Sequence, residues 1–141
     1  MNRPYIYNAI VTHVVDGDTV DVDIDLGFDV YLKDQRIRLL GVDTPESRTR
    51  DELEKQFGLL AKAIVEGFCP VGEKILIETH LDLKGKYGRI LGVLWVDNNS
   101  LNLNQFLIDE RYGVKYEGQS KELIQETHLA NFAYLTENGK I

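Results

Sequence analysis

Val20, Val22 and Ile24 alternate with Asp21, Asp23 and Asp25. Only an extended strand, with its side-chain period of two, puts such residues on opposite faces, so this segment must bury one face and wet the other. The stretch from Val11 to Leu26 is predicted as strand on this pattern. Parity then assigns Asp18, in Asp16-Gly17-Asp18-Thr19, to the inward face with the three aliphatic residues. An inward carboxylate at a strand end needs a cation or a hydrogen-bond donor, because an unpaired buried charge is costly or neutralises itself. A turn-capping aspartate meets the same need without chemistry. Asp21, Asp23 and Asp25 invite a calcium-loop reading, which fails: the glycine falls one place late, at Gly27, and the twelfth position is Leu32 instead of glutamate. They are read as a solvated acidic face.

The remaining pattern suits a small barrel. After a turn at Gly27, the segments VYLKD and QRIRLLGV are rich in β-branched and large apolar residues, and KILIETHL and RILGVLWV follow, joined by the turn-like DLKGKYG. Phe57, Leu60, Ala61, Ile64 and Phe68 recur at helical spacing, with Gly67 and Pro70 marking the stop. Ser100 is expected to cap a second helix carrying Leu103, Phe106 and Leu107. Ser120 is expected to cap a third, carrying Leu123, Thr127, Ala130 and Tyr134. The order is three strands, helix, two strands, helix, helix. A closed barrel with packed helices explains it better than a parallel α/β sheet, whose elements would alternate strictly.

At 141 residues, without repeats or a linker-like tract, residues 1–141 are expected to form a single domain. The lack of an 18-residue apolar run argues against a membrane span. The lack of a secretory pattern at the start predicts an intracellular, cytoplasmic chain. Cys69 is the only cysteine, which excludes an intramolecular disulfide and a paired-thiolate zinc site; Phe68 and Pro70 beside it suggest a packed thiol at a helix end. The formal charge of −7 argues against a strong sequence-blind nucleic-acid binder. Its distribution is uneven, though: acids crowd residues 16–29, and bases gather at Lys33, Arg36 and Arg38, at Arg48 and Arg50, and at Lys84, Lys86 and Arg89. Such a surface can hold a cation beside a phosphate-binding face.

Two further motifs carry candidate chemistry. Arg38-Leu-Leu-Gly-Val-Asp43-Thr44-Pro45-Glu46 closes a hydrophobic strand with two carboxylates three residues apart and an arginine upstream. Pro45 stiffens the turn, and oxygen ligands of this kind suit a hard cation such as Ca²⁺ or Mg²⁺. A surface turn with an ion pair is the competing reading. Lys84-Gly-Lys86-Tyr87-Gly88-Arg89 is a glycine-punctuated basic turn, in which arginine can grip phosphate through two donors and lysine supplies point charge. Alone, such a hairpin is weak evidence.

In this order, the three motifs resemble the staphylococcal nuclease (thermonuclease) family, in an intracellular or phage-type form, over roughly residues 8 to 135. The resemblance implies an α+β fold, a five-stranded OB-type β-barrel with three helices. It further implies a metal-dependent endonuclease acting on DNA, with RNA as a second substrate. Asp18, Asp43 and the Thr44 carbonyl would hold a catalytic Ca²⁺, for which Mg²⁺ or Mn²⁺ are the alternatives. Glu46 would position or deprotonate the attacking water, Arg38 and Arg89 would clamp phosphate, and Lys86 and Tyr87 would contact a neighbouring phosphate. His13, His80 and His128 have no motif around them and read as core or surface histidines.

The chain departs from the family's pattern in three ways. It is longer between Asp18 and Arg38, which implies an extended hairpin around Gly27 to Asp34 near the site. Of the tyrosine pair expected after the second helix, Tyr116 is a better candidate than Tyr112 for stacking on a base or bonding a phosphate. The negative total charge argues against indiscriminate binding. The chain is expected to act as a monomer. Two other readings stand beside the nuclease: a non-catalytic OB-type module binding nucleic acid or protein, and a nuclease restricted to particular DNA structures.

Overall fold

The computed structural model describes residues 5–81 and 90–141. Five strands make the barrel: β1 (Tyr5–Asp16), β2 (Thr19–Asp25), β3 (Tyr31–Leu39), β5 (Lys74–Leu81) and β6 (Ile90–Val96). They pair antiparallel in the order β3-β2-β1-β5-β6, and β6 returns beside β3 in parallel, with Ile37 opposite Ile90 and Leu39 opposite Gly92. That last pairing closes the sheet. The short β4 (Val42–Asp43) leaves the barrel and pairs with β8 (Val114–Lys115), while β7 (Leu101–Asn102) continues antiparallel to β6. The helices are α1 (Glu52–Phe68), α2 (Leu103–Asp109) and α3 (Lys121–Glu137). The expected α+β architecture, an OB-type five-stranded barrel with three helices, is the observed one.

The strands divide differently from the pattern reading. Val11 to Leu26 is a hairpin, because Gly17 and Asp18 turn the chain so that Asp16 faces Thr19. VYLKD and QRIRL instead fuse into one strand, with Asp34 absorbing the irregularity at φ 55° while its amide donates to Asp23. Ser100 does not cap α2. Asp97, Asn98 and Asn99 turn the chain through left-handed conformations, which Asx residues tolerate, and Ser100 Oγ donates within that turn to the Asp97 carbonyl. Leu101 and Asn102 remain paired to β6, and the Asn102 side chain caps α2 through the Gln105 amide. Ser120 caps α3 as expected.

Parity on β2 holds. Val20, Val22 and Ile24 join Val11, Ile37, Leu39, Ile75, Ile77 and Leu94 inside the barrel, with Leu103 and Leu107 of α2 packed against them. The outward aspartates are not simply solvated: Arg36 bonds Asp21 through two nitrogens, and Lys33 stands 3.2 Å from Asp23. A second cluster joins α1 to α3 by stacking Phe57 on Phe132, ring centroids 4.1 Å apart. Its α3 face is not the anticipated stripe. Leu123, Thr127, Ala130 and Tyr134 face outward, and His128, Asn131, Phe132 and Leu135 are buried. Cys69 is the packed thiol expected, and burial, with the Glu73 charge adding, pushes it up to about 12. None of the described helices is long and apolar enough to cross a membrane.

Buried Asn104 joins α2 to the barrel. Its Oδ1 accepts from the Leu94 amide, and its Nδ2 donates to the carbonyls of Leu40 and Gly92, all near 3 Å. Removing the amide strands three backbone groups away from water. Asn104→Ala should therefore cost about 3 kcal/mol in urea unfolding; a loss under about 1 kcal/mol would mean that water enters and replaces the side chain.

Candidate active site

The site is assembled where the β1–β2 turn meets the β3–β4 corner. Gly17 makes that meeting possible: a Cβ there would lie 2.8 Å from the Ala61 Cβ of α1 and 3.0 Å from Thr44 Oγ1. The turn therefore lies directly against the segment that follows β4. Asp18 receives the Thr44 amide on Oδ2 at 3.1 Å and the Thr19 hydroxyl on Oδ1 at 2.9 Å, and its carbonyl accepts from the Leu39 amide. These donors hold the Asp18 carboxylate in one orientation, although it lies in the turn before β2 and not on the strand whose parity assigns it inward.

Arg38 lies between the two motifs. Its side chain is 23% exposed, and Nη1 donates to the Val42 carbonyl at 2.8 Å and, at longer range, to the carbonyls of Leu39 and Asp18. The same nitrogen is 3.4 Å from Asp18 Oδ2, and Nη2 is 3.4 Å from Asp43 Oδ1. One guanidinium thus brings both carboxylates to a common point. Asp43 offers its other oxygen, Oδ2, to His128 Nε2 at 2.8 Å. Thr44 is buried, and its Oγ1 has no hydrogen-bond partner among the described residues.

Glu46 projects into solvent, but the backbone beneath it is fixed. Ser47 bonds Asp16 through both its amide and its hydroxyl, so the two ends of the first motif hold the second. Gly58 of α1 lies under the Glu46–Ser47 peptide, where a Cβ would fall 2.3 Å from the Glu46 carbonyl oxygen. Tyr116 is 47% exposed and donates its amide to the Gly41 carbonyl beside β4. Tyr112 is instead half-buried, packed against both apolar clusters.

The structure thus brings Asp18, Arg38, Asp43 and Thr44 together and sets Glu46 and Tyr116 on adjoining backbone. Arg89, Lys86 and Tyr87 lie outside the described residues. The long hairpin points elsewhere: six residue steps along β2, roughly 20 Å of strand, separate the Thr19–Arg38 pair from the Asp25–Tyr31 pair at its tip. Sequence reasoning missed His128, Gly17, Gly58 and the Asp16–Ser47 contact. Motif position could have flagged Asp16 and Gly17, whereas the other contacts arise only from tertiary packing.

Gly58 offers a test in which two effects have opposite sign. Replacing a helical glycine by alanine ordinarily gains up to about 1 kcal/mol, and Gly67→Ala, with open space around it, should do so. Gly58→Ala should instead lose about 1–3 kcal/mol, because backbone must move to admit the methyl group. Thermal melts of the two variants would check this, and a raised Tm for Gly58→Ala would show that the Glu46 loop yields freely.

The family described as staphylococcal nuclease homologue matches residues 36–140, a span that includes Arg38, Asp43 and Glu46 and begins after Asp18. Endonuclease YhcR of Bacillus subtilis is 31% identical over 115 residues, covering 78% of this chain and 9% of that protein. The thermonucleases of Staphylococcus intermedius and Staphylococcus hyicus are 31% and 32% identical over 67% and 65% of this chain, and over 52% and 50% of their own lengths. The chain thus spans about half of each thermonuclease and a small part of the larger endonuclease. With the matched span covering most of the sequence on the expected barrel, the chain belongs to the staphylococcal nuclease family.

Proposed function

We propose that the chain is a single-domain, monomeric, metal-dependent endonuclease that hydrolyses phosphodiester bonds of DNA, with RNA as a second candidate substrate. The observation that carries this reading is the Arg38 guanidinium held between Asp18 and Asp43 beside the Glu46 loop. Family relatives named endonuclease and thermonuclease support it.

Among the described residues no group of three histidine, cysteine or acidic side chains forms a metal cage. The fit for a cation therefore rests on a smaller set. Asp18 and Asp43 each turn an oxygen toward one cationic group, and together they outweigh its single charge. An oxygen-only set with residual negative charge suits a hard divalent ion, Ca²⁺ first and Mg²⁺ or Mn²⁺ as alternatives. Asp18, Asp43 and the Thr44 carbonyl would hold it. When bound, such an ion supplies charge neutralisation and Lewis acidity toward the phosphate.

The chain's own residues supply the rest. Arg38, fixed by backbone carbonyls, offers a preorganised donor face to a phosphoryl group, and Arg89 is proposed as the second clamp. Glu46 receives the proton of the attacking water while its hydroxyl bonds to phosphorus. One ester P–O bond breaks, and the departing oxygen takes a proton from solvent. Lys86 and Tyr87 would contact a neighbouring phosphate, and Tyr116, exposed beside Gly41, would stack on a base or bond a phosphate. The acidic total charge favours a narrower variant of this reading, a nuclease selective for particular nucleic-acid structures, because little nonspecific attraction is available.

Cleavage should stop in excess EDTA, and undiminished turnover there would end the metal reading. Glu46→Gln should keep the fold and lose rate by ~10²–10⁴-fold at any metal concentration. Asp43→Asn should recover part of its activity as Ca²⁺ rises. Single-turnover cleavage across a Ca²⁺ titration separates the two, and equal recovery of both variants would make Glu46 a ligand or a structural acid.

A further inference from the structure

The buried face of α3 carries two polar side chains, and both reach the β4–β8 ribbon. Asn131 Nδ2 donates to the Gly113 carbonyl at 3.4 Å, just before β8. His128, 5% exposed, places Nε2 2.8 Å from Asp43 Oδ2. Its ring stacks against Phe132 at 6.0 Å, and Phe132 stacks in turn on Phe57 of α1. The imidazole is therefore immobilised by packing and aimed at one oxygen of one carboxylate. The other oxygen of Asp43, Oδ1, is the one facing Arg38.

We propose that His128 is a positioning residue for Asp43, holding Oδ2 so that Oδ1 stays directed at the point shared with Asp18. The inference rests on the reading of Asp43 as a cation ligand. Asp43 sits on a two-residue strand and is 30% exposed in its side chain, so without a fixed donor its carboxylate could turn toward water. An Nε2–H donor fixes the rotamer without cancelling the charge a cation needs, as donors behind carboxylate ligands generally do. α3 is thereby tied to cation affinity although it contributes no ligand.

The test is direct calorimetric titration of each protein with Ca²⁺, alongside circular dichroism and Ca²⁺-dependent cleavage. His128→Phe keeps a ring on Phe132 and removes the donor; His128→Asn, too short to reach Oδ2, is a second donor-deficient variant should the first fail to fold. His128→Gln returns an N–H near the Nε2 position. Loss of the donor should weaken Ca²⁺ binding by ~10–100-fold, with kcat at saturating Ca²⁺ largely kept and His128→Gln within about threefold of wild type. Unchanged affinity in the donor-deficient variants, with Asp43→Asn weakened, would overturn the inference and leave the ligand reading standing. Equal weakening in His128→Phe and His128→Gln would also overturn it, since ring packing rather than the hydrogen bond would then be responsible. Unchanged affinity in Asp43→Asn would remove the ligand reading itself, and the inference with it.

Discussion

A guanidinium that is mostly shielded from water must be answered by oxygen, and Arg38 is answered from three pieces of chain. Among the described residues its contacts within 3.4 Å are the carbonyls of Asp18, Leu39 and Val42 and the carboxylates of Asp18 and Asp43. The three carbonyls set its position, so the charge cannot swing away when the carboxylates take another partner. The β1–β2 turn, the end of β3 and the start of β4 converge on it. An arginine is needed for this because its planar fork can engage several acceptors at once, whereas lysine presents one compact charge. The same constraint that ends the barrel thereby creates a spot where two carboxylates face a single cation.

That arrangement depends on close approach behind it. Gly17 lets the turn lie on Ala61 and Thr44, and Gly58 lets α1 lie on the Glu46–Ser47 peptide. A Cβ at Gly17 would crowd Ala61 and Thr44, and one at Gly58 would force the Glu46–Ser47 backbone to move. α1 is held in turn by the Phe57–Phe132 stack, and α3 by that stack together with His128 and Asn131. The barrel supplies the strands that carry the charges, and two helices fix the angles between them. Packing and polar contacts act together here: close-packed supports set where the backbone lies, and hydrogen bonds set where the charged side chains point.

The sequence made some of this readable and hid the rest for identifiable reasons. Strand parity correctly buried Val20, Val22 and Ile24, since period two is a local property of the backbone, but Asp18 lies in the turn before β2 and takes its direction from the Thr44 and Thr19 donors. The order of motifs named the family, and apolar spacing found α1. The hairpin at Gly17–Asp18 was missed because hydrophobic alternation runs almost unbroken through a two-residue turn. The α3 face was misjudged because a buried helix face was sought among apolar residues, while His128 and Asn131 are buried on account of partners far away in sequence. Asn104 escaped notice for the same reason: an asparagine reads as polar until its three backbone partners are known.

The acidic strand shows why a net charge of −7 is a poor guide to the surroundings of Arg38. Asp21 and Asp23 point to the face opposite the barrel interior, where Arg36 and Lys33 on the neighbouring strand pair with them. The Asp34 amide, with Lys33 adding to it, holds the Asp23 carboxyl below the usual range, so this acid stays charged and satisfied where it stands. Exposed pairs of this sort contribute little to stability. Their effect is on the local field, because Asp21 and Asp23 are each matched by a base beside them and their influence is further screened by salt over about 10 Å. Of the acids crowded into residues 16–29, Asp18 is the one that reaches Arg38, where it meets Asp43, while Asp16 beside it holds Ser47.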